Sequence, residues 1–108
     1  MNIEDMQESA QAASNLLDAM SNENRLMILC QLSDGEKSVG QLAELIGARQ
    51  VAVSQQLAIL RREGLVRPRR QAQTVFYSLA SDAARQVIET LYAIYCGPAA
   101  DKAEKPAA

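Results

Sequence analysis

A length of 108 residues leaves room for one domain, and 48% apolar against 22% charged residues supply a core that disordered and fibrous chains lack. The absence of histidine excludes imidazole acid–base chemistry, Ser–His and Cys–His dyads and histidine-built metal sites. The net charge of −2 conceals an asymmetry: residues 49–70 hold six arginines against the single Glu63, a net +5, while the remainder of the chain is net −7. Such a segment points to an anionic partner, and arginine suits forked contacts to phosphate and guanine. A chain this short buries only roughly 60–70% of its unfolded surface, which favours association into a dimer.

Residues 1–9 read as a flexible acidic start and 10–97 as the folded domain. Ala10, Ala13, Leu16, Leu17 and Met20 then repeat at helical spacing. Ser21-Asn22 opens a second helix, in which Leu26, Leu29, Cys30 and Leu32 turn to one side before Asp34-Gly35 breaks it. Ser38 followed by Gln41 matches a capping box, and Leu42, Leu45 and Ile46 form the expected buried stripe of a short third helix ended by Gly47. A tight turn leads to a fourth helix from about Gln50 to Glu63, with Val53, Leu57 and Leu60 inward and Gly64 as its stop.

The stretch LVRPRRQAQTVFYSL has two β-prone arms, predicting a hairpin with its tip near Gln71 to Gln73. Pro68 fits there only on an edge or with an unpaired amide. Ser81-Asp82 opens a last helix through Val87, Ile88, Leu91, Ile94 and Tyr95 to about Cys96, and Gly97-Pro98 stops it. Residues 98–108 are expected to be a disordered tail. No run approaches the ~18 apolar residues of a membrane span, and MNIEDMQESAQ lacks a signal-peptide layout, so a cytoplasmic protein without membrane contact is expected.

A mainly α chain ordered helix, helix, helix, helix, hairpin, helix, with a capped helix, a tight turn and a basic hairpin, describes a winged helix-turn-helix. Its partner would be double-stranded DNA. With Val53, Leu57 and Leu60 inward, Gln50, Ser54, Gln55 and Gln56 face outward near the start of the fourth helix, where side-chain amides and hydroxyls pair with base edges. Ser38 at the head of the third helix joins this set. Arg49, with Arg69, Arg70, Gln71 and Gln73 in the wing, would supply phosphate or minor-groove contacts.

The run SVGQLAELIGARQVAVSQQLAILRREGLVRPRRQAQTVFYSL, preceded by SNENRLMILCQL, resembles the ArsR/SmtB repressors over about residues 14 to 97. That resemblance implies a homodimer, its interface built by the first and last helices, that holds operator DNA until an inducer acts. The metal-sensing members carry cysteines in the third helix and histidines in the last; this chain has Lys37-Ser38-Val39-Gly40-Gln41 and no histidine, so neither metal site nor cofactor is expected. RLMILCQL and LYAIYCG instead resemble the persulfide- and sulfide-responsive branch. In that branch the two positions, here Cys30 and Cys96, are bridged by reactive sulfur species or oxidants and DNA is released.

By themselves the cysteines leave alternatives open. They lie 66 positions apart without a CxxC pattern, which argues against a thiol oxidoreductase and against any enzyme. They could be sensing thiols, ligands for a thiophilic metalloid, or small inert hydrophobes in a constitutive DNA-binding protein.

Overall fold

The computed structural model describes residues 1–97; the tail expected over 98–108 lies outside the described residues. Five helices and three short strands follow one another: α1 (Ile3–Met20), α2 (Glu23–Ser33), β1 (Lys37–Ser38), α3 (Val39–Ile46), α4 (Gln50–Arg62), β2 (Val66–Gln71), β3 (Thr74–Leu79) and α5 (Asp82–Cys96). This is the winged helix-turn-helix expected from the sequence, with one strand more.

Residues 3–9, expected as part of a flexible start, belong to α1. The reason is local: the Asn2 side chain accepts from the amides of Glu4 and Asp5, and both acids sit in the first turn, where the positive end of the helix dipole favours them. Acidic composition there is a helix start. The same device opens α2, α3 and α5, where Asn22, Ser38 and Ser81 accept from the backbone amides of Arg25, Gln41 and Ala84. At α3 the box is complete, since Gln41 Oε1 in turn accepts from the Ser38 amide at 2.8 Å.

The core is one cluster. Ile28, Leu29 and Leu32 of α2 meet Leu42 and Ala43 of α3, Val53, Leu57 and Leu60 of α4, Leu65 and Val66 at the wing, and Ala84 and Ile88 of α5. Helix α2 is the hub, packing on α3, α4, α5 and β3. Its inward face is rotated from the sequence reading: Ile28 is fully buried, while Leu26 and Cys30 flank the core. Leu45, expected in the buried stripe of α3, is instead 54% exposed. In an eight-residue helix Leu42, Ala43 and the partly buried Ile46 already cover the contact with α4, and Leu45 falls outside it.

The sheet runs β1-β3-β2, antiparallel throughout. The two-residue strand β1, absent from the sequence reading, sets Lys37 opposite Tyr77 and Ser38 opposite Phe76. It is too short to show any alternation. Pro68 lies in β2, an edge strand, where a missing amide is tolerated. The hairpin turns through Ala72 and Gln73 at the expected place, and Ala72 takes a φ of 55°.

Candidate functional site

Two surfaces carry the residues singled out in the sequence. The first is the helix-turn-helix and wing. Gly47, in the left-handed region at φ 77°, ends α3 and lets three residues turn the chain into α4. Gln50, Ser54 and Gln55 are exposed on α4, as expected, and Arg49 precedes them with its side chain unused in capping. Gln56 is different. It is half-buried and accepts from Arg25 Nη1 at 2.9 Å, while Arg25 Nε donates to the Ala19 carbonyl at 2.7 Å. Arg25 thus joins the end of α1, the start of α2 and, through Gln56, the middle of α4. Ser38 spends its hydroxyl on the cap of α3.

In the wing Arg70, Gln71 and Gln73 are exposed. Arg69 is committed within the molecule. Its Nη2 and Nε donate to the Glu36 carboxylate at 2.7 and 3.0 Å, its Nη1 donates to Gln71 at 3.0 Å, and its guanidinium lies 5.0 Å from the centre of the Phe76 ring. These hydrogen bonds hold the Glu36 carboxyl below the usual carboxylate range. The missed signal was Glu36 itself, immediately before a strand that pairs with the wing.

The second surface is the thiol pair. Cys30 on α2 and Cys96 at the end of α5 line one cavity of about 380 Å³, together with Leu26, Met27, Ile88 and Tyr92. Cys30 is half-buried and Cys96 exposed. Burial pushes the Cys30 thiol above its ordinary value, and negative charge on Asp34 and on Cys96 adds to the rise. Asp34 also lines a smaller cavity with Cys30, Ser33 and Tyr92. Two hydrogen bonds anchor this region: Arg85 of α5 donates to the Ser33 carbonyl at 3.1 Å, and Lys37 to that of Gln31 at 2.8 Å. Among the described residues no three His, Cys, Asp or Glu side chains are gathered to hold a metal ion.

Residues 22–67, from the cap of α2 into the wing, match the bacterial regulatory proteins of the arsR family. The transcriptional activator HlyU of Vibrio cholerae is 50% identical over 89% of this chain and 89% of its own. The chain belongs to the ArsR family. A biofilm growth-associated repressor of Agrobacterium fabrum is 45% identical over 86% of this chain and 80% of its own. Among solved structures, reduced HlyU from Vibrio cholerae superposes with a TM-score of 0.81 at 50% identity, covering 85% of this chain and 97% of that one. The transcriptional repressor BigR from Xylella fastidiosa superposes at 0.85 with 44% identity, covering 89% and 98%. This ArsR-family chain is a winged-helix transcriptional regulator and not an enzyme. No helix among the described residues is long and apolar enough to cross a membrane.

Proposed function

We propose that this protein is a homodimeric repressor that holds operator DNA while Cys30 and Cys96 are reduced and is released when reactive sulfur bridges them. The observation that carries the reading is the shared cavity: two thiols 66 positions apart in sequence line the same apolar recess between α2 and α5. A relative from Agrobacterium fabrum is named a repressor, and one solved relative is described as reduced. Outward Gln50, Ser54 and Gln55 would read bases, while Arg49, Arg70 and Gln73 hold phosphates.

The exposed Cys96 is the first nucleophile. Its thiolate attacks the terminal sulfur of a persulfide RS–SH, forming Cys96–S–SH and expelling RS⁻. The Cys30 thiolate then attacks the inner sulfur, giving the Cys30–S–S–Cys96 bridge and HS⁻; two thiols are oxidised and one sulfane sulfur is reduced. If both cysteines are persulfidated first, the same displacement leaves a trisulfide and again releases HS⁻. The bridge ties α2 to α5. The exposed Met27, Tyr92, Ile94 and Tyr95 border that region and would meet the second subunit, so the link acts on how the two reading helices are spaced.

Intact mass measurement with operator binding tests this on reduced protein treated with glutathione persulfide, with glutathione disulfide as control. The expected result is a bridge between Cys30 and Cys96, with or without added sulfur, and lost DNA affinity. Cys30→Ser and Cys96→Ser should each bind DNA normally and resist release. A Cys30→Ser protein that still leaves its operator under persulfide overturns the switch. Unmodified thiols, combined with release by As(III), would favour the metalloid reading.

A further inference from the structure

The outward face of α4 has a hydrophobic centre. Val51 is 69% exposed in the first turn, directly opposite the core residues Val53, Leu57 and Leu60. Gln55, Ala58 and Arg62 continue its stripe at i+4, i+7 and i+11, and all three are exposed. Gln50 and Ser54 flank it, and Arg49 stands just before it. Valine there gains nothing from packing within the chain and is a poorer helix former than alanine, so local folding gives no reason for it.

We infer that Val51 is a specificity-determining residue that packs against the 5-methyl group of a thymine in the major groove. The proposal rests on the reading of α4 as the helix that enters that groove. The surroundings identify the occupant as DNA: the segment 49–70 is net +5, and the polar side chains beside Val51 are those that pair with base edges. On a major-groove floor the thymine methyl is the apolar feature available to a short branched side chain, and cytosine offers an amino group instead. Gln55, one turn further, would hydrogen-bond to a neighbouring base, so the pair reads shape and polarity together. The small Ala58 behind them lets the helix approach closely, and Arg62 at the far end reaches a phosphate.

The test starts from duplexes selected by the full-length reduced protein from a random library, with each thymine replaced in turn by deoxyuridine, which lacks only the methyl group. Wild-type protein should lose about fourfold in affinity at one thymine per half-site, the equivalent of one buried methyl. Val51→Ala should lose most of the discrimination between the thymine and deoxyuridine duplexes, with unchanged helix content by circular dichroism. If no thymine is sensitive, or if Val51→Ala keeps the full discrimination, the inference falls while the placement of α4 stands. If no duplex is enriched at all, that placement falls too and takes this inference with it.

Discussion

Burial first, and then the charge of Asp34, raise the Cys30 thiol above its ordinary value. The thiolate is the nucleophile, and burial, Asp34 and Cys96 together keep Cys30 protonated above the ordinary thiol range. Under the proposed switch, the bridging step is expected to be slow at neutral pH and to accelerate by about tenfold for each pH unit until the thiol is ionised. Asp34→Asn removes one of the charges that raise the thiol, so more thiolate is present at pH 7 and bridging is faster. Thiol-trapping kinetics across pH on both proteins check this, and equal rates would show that Asp34 has no hold on the reaction. The stability sign follows as well. A thiol whose folded value is raised stabilises the fold fully below its unfolded value, and that contribution is lost as pH rises through the folded one.

At the scale of elements, the wing is tied down by a charge pair that competes with its expected task. Arg69 cannot grip Glu36 and a phosphate with the same guanidinium edges, and Glu36 lies in the loop out of α2, three residues after Ser33, whose carbonyl accepts from Arg85 of α5. Glu36→Gln weakens that hold and removes a negative charge beside the wing. The expected result is tighter binding to DNA of any sequence and a salt dependence steeper by about one phosphate contact per subunit. Titrations at several salt concentrations measure the slope, and an unchanged slope would mean that Arg69 takes no phosphate even when the Glu36 carboxylate is gone. Capping boxes and glycine stops were legible because each is a rule of a few adjacent residues. The strand β1 and the Glu36–Arg69 pair were not, because both join positions more than 30 residues apart.

For the whole molecule, the apolar groups left outside the single core define the remaining surface. Leu17 on α1 and Ile94 and Tyr95 on α5 are about half-exposed or more, although their spacing reads as the inner faces of amphipathic helices, and Tyr92 beside them is as exposed. A second subunit covering α1 and α5 would account for them, and a solved relative from Mycobacterium bovis, 25% identical with a TM-score of 0.71, is described as homodimeric. Ile94→Asp is expected to give a folded monomer by sedimentation velocity and to weaken operator binding by about a hundredfold, since two linked reading heads exceed one by that order. A dimer that survives this change would move the interface elsewhere.

Sequence by itself determined the order of the five helices and the hairpin, the caps of α2, α3 and α5, the glycine stops and the basic segment, because these depend on local periodicity, on capping by near neighbours and on composition. Only the tertiary structure decided which faces those elements present. It turned Ile28 inward and Leu45 outward, paired Gln56 with Arg25 and Arg69 with Glu36, and brought Cys30 and Cys96 to one cavity. The physical reason is that a helix's inward face is chosen by what packs against it, and side-chain pairs between distant elements exist only once the chain has closed on its core.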